Sequence, residues 1–356
     1  MNGFPYGVFR EGSRTRAGVA VGDEILDLTA CGLYIGDSLN GLMAAGPEVW
    51  SALRAEIPAM ARERRFLVPR AEVEMQLPAR IGDYTDFYAS IHHATRVGRL
   101  FRPSSPLPPN YEHVPIAYHG RASSIVIDGS PIRRPRGQIK DDSAPAPRFG
   151  PSERLDYEAE LGFFTGPGNP LGEPIPIAEA ERHIFGFCVV NDWSARDIQK
   201  WEYQPLGPFL AKSFATTISP WIVPLDALAP YRVPPPERAA PLAYLAGGGP
   251  GFDITIEVRL NGKRVSLCST RHLYWTPAQM VAHHTSNGCN LRPGDLIASG
   301  TVSGPGEGES GCLLELGGPF LADGDEVAMR AWCEREGLPR IDFGECRGRV
   351  AGTIPI

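Results

Sequence analysis

The sequence lacks several patterns that would assign it to a common functional class. It has no block of lysine and arginine and carries a net charge of −6, so nucleic acid is not an expected partner. Its seven cysteines include no Cys-x-x-Cys pair, which argues against a thiolate zinc site and favours a reducing compartment. No apolar run approaches the ~18 residues of a membrane span, and the first residues lack a signal-peptide pattern. We therefore expect a cytoplasmic protein with no membrane partner.

Phosphate-binding loops are also missing from the sequence. The glycine-rich segment at residues 304–308 does not match Gly-x-Gly-x-x-Gly. Lys212-Ser213 has the ending of a phosphate loop, but Ala211 precedes it where such a loop needs glycine. Nucleotide binding is therefore not expected.

Proline and glycine, in contrast, are abundant, with 35 and 40 residues in a chain of 356. Dense proline disfavours long helices and favours many short strands joined by fixed turns. The length suggests two domains, and we place a small β-barrel with appended helices at residues 1–78. Residues 79–356 form the second unit and contain the convergent polar residues. Within it, Asn261-Gly262 predicts a hairpin turn, and Thr276-Pro277 predicts the start of a helix that ends near Asn287.

The stretch at residues 191–220 contains the densest set of polar residues. Asp192 follows the apolar run 184–190, which is typical of a buried strand, and a buried carboxylate requires a partner. Cationic, amide and phenol side chains follow it: Arg196, Gln199, Tyr203 and Lys212. A helical turn would place Arg196 and Gln199 on one face, so these groups and Asp192 would converge. The alternative is an ordinary surface helix with solvated ion pairs.

Further carboxylates stand in segments where apolar residues would pack more easily. Glu158 and Glu160 project from the same face of a predicted strand at 155–164, where their charges repel unless a cation or solvent screens them. The alternative is a solvent-facing strand edge. Together with Asp86 and Asp192 they form an all-carboxylate set, which favours magnesium or calcium over zinc. Glu315 falls in 312–316, which we predict to be a strand.

Several long motifs resemble the fumarylacetoacetase family. They include Asp83-Tyr-Thr-Asp-Phe-Tyr-Ala-Ser, His93-Ala-Thr, Phe101-Arg102, Tyr118-His-Gly-Arg-Ala-Ser-Ser, Pro131-Ile-Arg-Arg-Pro, residues 191–220 and Asn287-Gly-Cys-Asn-Leu-Arg-Pro-Gly-Asp. The resemblance runs densely through residues 79–356 and is looser before them. It implies a mainly β, α+β fold: an N-terminal SH3-like barrel followed by a C-terminal mixed β-sandwich roll that carries the catalytic site and dimerises. A homodimer is therefore expected.

The resemblance also implies an activity and a set of site residues. The activity is hydrolysis of a carbon–carbon bond of fumarylacetoacetate to fumarate and acetoacetate, the last step of tyrosine and phenylalanine catabolism, with a bound magnesium or calcium ion. The implied metal ligands are Asp86, Glu158, Glu160 and Asp192, with Lys212 and Thr216 beside the metal. The implied catalytic residues are His93 as general base, Glu315 as the acid that orients it, and Arg196, Gln199 and Lys212 as oxyanion donors. The implied substrate contacts are Tyr88, Arg102, Tyr118, Gln199, Tyr203 and Thr301.

Two departures from the family pattern and two rival interpretations accompany this prediction. His92 places a second imidazole beside the expected base, and Pro103-Ser-Ser-Pro106 follows Arg102. One rival is another enzyme of the wider superfamily, such as an acylpyruvate hydrolase or a decarboxylating β-keto acid enzyme. Those enzymes usually lack the segment Trp201-Glu-Tyr-Gln-Pro-Leu-Gly-Pro-Phe. The other rival is a metal-stabilised binding module, in which His93 and Glu315 would have no special relation.

Overall fold

A computed structural model describes residues 3–354 of the chain. The first part is a curled five-stranded sheet with strand order β4-β3-β2-β1-β5. Its strands are β1 (Tyr6–Glu11), β2 (Arg14–Val21), β3 (Glu24–Asp27), β4 (Leu67–Pro69) and β5 (Glu74–Gln76). Two helices, α1 (Asn40–Ala44) and α2 (Pro47–Met60), lie between β3 and β4 and match the appended helices predicted for this unit.

The remaining strands and helices build a larger β-rich unit. The strands are β6 (Tyr84–Phe87), β7 (Ala117–His119), β8 (Ile125–Ile127), β9 (Pro131–Arg133), β10 (Arg136–Ile139), β11 (Arg148–Pro151), β12 (Leu155–Asp156), β13 (Ala159–Thr165), β14 (Ile184–Asp192), β15 (Ser194–Ala195), β16 (Thr216–Ile218), β17 (Val223–Pro224), β18 (Arg232–Val233), β19 (Gly251–Phe252), β20 (Thr255–Leu260), β21 (Lys263–Ser269), β22 (Leu296–Thr301), β23 (Glu326–Cys333) and β24 (Ile341–Ala351). The helices are α3 (Ile91–Phe101), α4 (Arg196–Glu202), α5 (Pro277–Thr285) and α6 (Leu313–Leu316).

Two large sheets face each other in this unit. The first has the order β7-β6-β22-β13-β14-β16-β8, with β17 also paired to β14, and it mixes antiparallel and parallel pairs. The second has the order β21-β20-β23-β24-β9. Most helices and long loops lie outside these sheets, so the fold is mainly β and of the α+β class, as predicted.

Strand β13 shows why this architecture buries its polar residues so deeply. Phe163 belongs to the core between the two large sheets, whereas the adjacent Phe164 belongs to a second core shared with the N-terminal sheet. Successive side chains of a strand point to opposite faces, so β13 is covered on both sides. All seven of its residues are buried, including Glu160. Glu158 lies just before β13 and is 6% exposed, so the solvent-facing edge considered for Glu158 and Glu160 is wrong for both residues.

Local predictions in the C-terminal part have mixed outcomes. The hairpin of β20 and β21 turns at Asn261 and Gly262, whose φ values are 50° and 79°, as an Asn-Gly turn requires. Helix α5 begins with a capping box between Thr276 and Gln279, but it ends at Thr285, two residues before the predicted end. The strand predicted around Glu315 is wrong. Residues Leu313–Leu316 form helix α6, which ends at the left-handed Gly317.

Among residues 3–354, none of the helices combines the length and the apolar character needed to cross a bilayer.

Candidate active site

Three carboxylates meet at the centre of the first large sheet. Asp86 comes from β6, Glu160 from β13 and Asp192 from the last position of β14. One oxygen of each lies within 4.8 Å of the others, and each residue is at most 1% exposed. The curl of the sheet therefore gathers residues that are up to 106 positions apart, as the sequence predicts.

The oxygens of this cluster lack the hydrogen bonds that buried polar atoms normally have. Asp86 Oδ1 and both carboxylate oxygens of Glu160 have no hydrogen-bond partner among residues 3–354. Burial, together with the neighbouring carboxylates, raises the pKa of Asp86 and that of Glu160 well above their ordinary values. A divalent cation would satisfy these oxygens and neutralise the repulsion. The donor set is all oxygen, so it fits magnesium or calcium.

Glu158 is the predicted ligand whose oxygens are already paired. Its Oε2 accepts from Lys212 Nζ at 2.6 Å, and its Oε1 accepts from Arg196 Nη1 at 2.6 Å. Burial opposes ionisation, but these two cations outweigh it and lower the pKa of Glu158. The structure thus brings Glu158 to the site while holding its carboxylate by ion pairs.

Lys212 and two hydroxyl groups connect the carboxylates to their surroundings. Lys212 Nζ also donates to Asp192 Oδ2 at 2.6 Å, so it bridges Glu158 and Asp192. Tyr118 Oη lies 2.7 Å from Asp192 Oδ2 and 3.0 Å from Asp86 Oδ2, and Thr216 donates to Asp192 Oδ1 at 3.3 Å. Tyr118, predicted only as a substrate contact, therefore also orients two carboxylates.

His93 and Glu315 form a hydrogen-bonded pair next to this cluster. His93 lies in the first turn of α3, and its Nδ1 is 2.7 Å from Glu315 Oε1. Burial of Glu315 is outweighed by its hydrogen bond to His93, the charge of that ring, and hydrogen bonds from Ser303 and Arg96. These lower the pKa of Glu315 to about 2. An ionised carboxylate can only accept, so Nδ1 carries a proton, and in the neutral form of the ring the lone pair is on Nε2.

Two residues that the sequence analysis missed hold Glu315 in place. Arg96 donates to Glu315 Oε2 at 3.0 Å and to the Gly304 carbonyl oxygen at 2.8 Å. Ser303 Oγ donates to Glu315 Oε1 at 2.6 Å. Arg96 follows His93 by three positions on the same helix, and this i, i+3 spacing is a pattern that could have identified it.

A third missed residue, Asp156, connects the helix that carries Glu315 to the side chain of Arg196. Its Oδ1 accepts from the backbone N–H of Leu313 at 2.8 Å, and its Oδ2 accepts from Leu314 N–H and Arg196 Nε, both at 2.9 Å. The carboxylate therefore fixes the start of α6, which carries Glu315, and the guanidinium of Arg196. The sequence signal was available, because side chains two positions apart in a strand share a face, and Asp156 precedes Glu158 and Glu160 at that spacing.

Asp156→Asn is expected to reduce both stability and turnover. One acceptor oxygen becomes a donor amide that faces N–H groups, so the free energy of unfolding falls by about 3 kcal/mol, as for a broken buried ion pair. Displacement of Arg196 and Glu315 lowers kcat by about 100-fold. The measurements are chemical denaturation and steady-state kinetics.

The matched control for this prediction is Asp197→Asn. Asp197 is also buried and accepts from Ser152 Oγ and Glu153 N–H, so its carboxylate is held by residues other than α6 and the Arg196 guanidinium. The Asp197→Asn variant should have a lower free energy of unfolding than the wild type and the same kcat. Equal kcat losses in the two variants would assign Asp156 to general stability alone.

A cavity of about 400 Å³ opens over His93 and the ion-paired Glu158. The predicted site residues that line it are Asp86, Tyr88, His93, Arg102, Tyr118, Glu158, Arg196, Gln199, Tyr203, Lys212 and Thr301. Glu160, Asp192, Thr216 and Glu315 lie behind this lining. Arg196 Nη2 and Thr301 Oγ1 have no hydrogen-bond partner among the described residues, so each can bind a ligand oxygen. The surface-helix alternative for Arg196 is wrong, since it is 7% exposed.

The two departures from the family pattern have different positions. His92 is absent from the cavity lining and packs edge-on against His272, with ring centroids 5.9 Å apart. Arg102 lines the cavity at the end of α3, and its guanidinium donates to the Pro106 carbonyl oxygen at 3.1 Å. Residues 103–106 thus hold Arg102 at the mouth of the cavity.

The pKa of Glu315 gives a pH-dependent prediction. Because the pKa of Glu315 is lower in the folded protein than in the unfolded chain, ionised Glu315 stabilises the fold. This stabilisation is complete above the pKa of the unfolded state, near 4.5, and is lost as the pH falls towards the folded value of about 2. The contribution is about 3 kcal/mol. The difference in unfolding free energy between the wild type and Glu315→Gln should therefore narrow between pH 5 and pH 2, measured by denaturant titration. A difference that stays constant over this range would contradict the assignment.

Known proteins resemble this chain over almost its whole length. Two family models match the chain: "Fumarylacetoacetase N-terminal" over residues 2–78 and "Fumarylacetoacetate (FAA) hydrolase C-terminal" over residues 83–351. The fumarylacetoacetase of Bos taurus is 48% identical, over 99% of this chain and 96% of its own length. The chain belongs to the fumarylacetoacetase family. The fumarylacetoacetases of Homo sapiens and Arabidopsis thaliana are 47% and 44% identical, over 99% and 100% of this chain and 96% of their own lengths.

Solved structures confirm the fold of this fumarylacetoacetase-family chain. A fumarylacetoacetate hydrolase from Exiguobacterium antarcticum has a TM-score of 0.63 at 21% identity, covering 98% of this chain and 99% of its own. A maleylpyruvate hydrolase from Sphingobium sp. SYK-6, solved with manganese(II) and pyruvate, has a TM-score of 0.60 at 18% identity, covering 98% and 100%. These identities support a shared architecture, not a shared substrate.

Proposed function

We propose that this protein hydrolyses the carbon–carbon bond of fumarylacetoacetate to give fumarate and acetoacetate, the last step of tyrosine and phenylalanine catabolism. The observation that carries the proposal is that His93, oriented by Glu315, lines the same cavity as Asp86, which clusters with Glu160 and Asp192 and shares with Glu160 carboxylate oxygens that lack partners among the described residues. The curated relatives named fumarylacetoacetase, which match nearly the whole chain, support the choice of substrate. A binding module would not require the ionised Glu315 behind His93.

The metal ligands in this proposal are Asp86, Glu160 and Asp192, with Glu158 as the fourth carboxylate. A divalent cation bound there would polarise and align the two carbonyl oxygens of the β-diketone. Lys212 bridges Glu158 and Asp192 by its two ion pairs, and Thr216 orients Asp192. Magnesium and calcium both suit the oxygen donors.

His93 acts as the general base in the hydrolytic step. Its Nδ1–H donates to Glu315, so the Nε2 lone pair can take a proton from a water molecule in the cavity. The resulting hydroxide attacks the carbonyl carbon next to the fumaryl group. When the tetrahedral intermediate collapses, the carbon–carbon bond breaks and its electron pair leaves with acetoacetate. His93 returns the proton to that leaving carbon, so the step is balanced.

Three donors stabilise the oxyanion of the tetrahedral intermediate. Arg196 offers its unpartnered Nη2, and Gln199, which lines the same cavity and whose Oε1 accepts from Arg196 Nη1 at 3.1 Å, offers its amide N–H₂. Lys212 contributes its fixed positive charge. Loss of one such donor typically costs about 3 kcal/mol of transition-state stabilisation.

The remaining lining residues bind and orient the substrate. Arg102 at the cavity mouth pairs with a terminal carboxylate, for which a planar fork of donors is well suited. Tyr88 packs edge-on against His93, with ring centroids 5.4 Å apart, and the free Thr301 hydroxyl binds a substrate oxygen. Tyr203 also lines the cavity, and its ring centroid lies 6.5 Å from that of Phe101. Tyr118 contacts the substrate from the carboxylate side.

Hydrolysis in heavy-oxygen water tests this function. Authentic fumarylacetoacetate should give fumarate with one labelled carboxylate oxygen and unlabelled acetoacetate, as measured by mass spectrometry. An acylpyruvate of similar size serves as the comparison substrate, and its kcat/KM should be lower. A higher kcat/KM for the acylpyruvate would favour the rival superfamily enzyme.

The assembly and cellular context are also part of the proposal. We propose a cytoplasmic homodimer formed through the C-terminal unit, residues 79–356, with the barrel of residues 1–78 at its flank. Sedimentation at micromolar concentration should give the mass of a dimer for the full chain. A monomer at that concentration would contradict the dimer.

A further inference from the structure

Cys312 lies beside the catalytic pair without a role in the mechanism. Its Sγ is 3.6 Å from Glu315 Oε1 and 4.0 Å from His93 Nδ1, and these two atoms are themselves 2.7 Å apart. One ligand atom of each residue lies within 4.8 Å of the others. Cys312 is fully buried and His93 is 4% exposed. A nitrogen, a sulfur and an oxygen ligand therefore share one small volume.

This donor set differs in kind from the carboxylate cluster. Sulfur and imidazole ligands select zinc and similar thiophilic ions, whereas the carboxylates select magnesium or calcium. Around a tetrahedral zinc, bond lengths of about 2.0–2.3 Å put ligand atoms roughly 3.3–3.6 Å apart. The distance from Cys312 Sγ to Glu315 Oε1 already matches this spacing, and the distance from Sγ to His93 Nδ1 must shorten by roughly 0.4 Å. The His93–Glu315 contact must open by roughly 0.6 Å when the Nδ1 proton leaves it.

We propose that His93, Cys312 and Glu315 form an inhibitory site for a thiophilic divalent cation such as zinc or cadmium. The inference of inhibition rests on the proposed function of His93 as the base. When the cation binds Nδ1, the proton of the neutral imidazole moves to Nε2, so the nitrogen that faces the cavity has no lone pair for water. The Cys312 thiol releases its proton to solvent as the sulfur–metal bond forms.

The surroundings make this site selective. His93 and Leu314 line the cavity while Cys312 and Glu315 lie behind them, so a cation enters from the cavity past the His93 ring. Arg96 lies 3.0 Å from Glu315 and opposes a second positive charge, so a cation that gains no bond to sulfur binds poorly there. Magnesium should therefore leave the site free while it fills the carboxylate cluster. The spacing of residues 93, 312 and 315 in the sequence contains no zinc motif, because the fold alone brings them together.

Cadmium titration of the magnesium-saturated protein tests the proposal. The readouts are the ultraviolet charge-transfer absorption of a cadmium–thiolate bond and the hydrolysis rate, followed in the same samples. The wild type should gain the absorption at one cadmium per chain and lose activity over the same cadmium range. Cys312→Ser should lack the absorption and require at least about tenfold more cadmium for half inhibition, relative to its own rate with magnesium and without cadmium. Cys312→Ala repeats the test if the serine variant does not fold.

The control is Cys289→Ser, which removes a half-buried thiol outside the cavity lining and should behave as the wild type. The proposal is overturned if the serine or alanine variant keeps the wild-type absorption, or if it is inhibited at the wild-type cadmium concentration. A cadmium–thiolate absorption that depends on Cys312 in a protein without hydrolytic activity would support the site and refute the proposed function. Hydrolysis by a protein that shows no cadmium–thiolate absorption would support the proposed function and refute the cation site.

Discussion

His93→Ala should lower kcat by roughly 100- to 10,000-fold, the range expected when a general base is lost. The imidazole faces the cavity while Glu315 is buried behind it, so the alanine variant loses the base and keeps the carboxylates that bind the cation. Affinity for the cation and for an unreactive substrate analogue should stay close to the wild type. The measurements are steady-state kinetics, elemental analysis and calorimetric titration.

Glu315→Gln and His92→Ala complete this experiment. The glutamine weakens the orientation of His93 without removing it, so its kcat loss should be smaller. The double variant His93→Ala/Glu315→Gln should lose far less than the product of the single losses, because the two residues act as one unit. His92 packs against His272 outside the lining and should be nearly neutral. If His92→Ala abolishes turnover while His93→Ala does not, the base has been assigned to the wrong imidazole.

Glu160→Gln should have opposite effects on the metal-free and metal-loaded protein. Glu160 is fully buried, its oxygens have no partner among residues 3–354, and it lies next to Asp86 and Asp192. Removing its charge relieves repulsion, so the metal-free variant should unfold at a higher temperature than the metal-free wild type. The same change removes a ligand. Turnover should therefore fall by more than about 100-fold, beyond the loss typical of groups that only support a ligand.

The stability measurement separates these two effects. Magnesium or calcium at 100 times its dissociation constant should stabilise the wild type by about 2.7 kcal/mol and Glu160→Gln hardly at all. Glu179→Gln, which changes an exposed glutamate, serves as the control and should keep the full metal response. Equal metal-dependent stabilisation in Glu160→Gln and the wild type would remove Glu160 from the ligand set.

The sequence predicted the components of the site better than the contacts among them. The carboxylates Asp86, Glu160 and Asp192 could be identified because each interrupts a segment that must be buried, and a buried charge requires a partner. Resemblance to the family supplied the pairing of His93 with Glu315, which are 222 positions apart. No local period relates residues at that distance, since the closure of the sheets decides their contact.

Other features depended on packing that no pattern in the sequence displays. A run of Leu-Leu-Glu-Leu reads equally well as strand or helix, and Asp156 decides for the helix by accepting two of its N–H groups. Lys212 was predicted beside the metal, but its bridge between Glu158 and Asp192 depends on the exact approach of β14 to the segment that follows β12. In the sequence Cys312 is one of seven scattered cysteines, and only the fold shows that it lies against His93 and Glu315.

The decay of fumarylacetoacetate absorbance, with one protein sample before chelation, after chelation and after addition of magnesium or calcium, tests the central claim most directly. We predict rapid decay before chelation, loss of the decay after complete metal removal, and its recovery when the ion is restored. Rapid decay by protein shown by elemental analysis to be metal-free would contradict the role of the carboxylate cluster. The absence of decay in fully metal-loaded protein would contradict the proposed function itself.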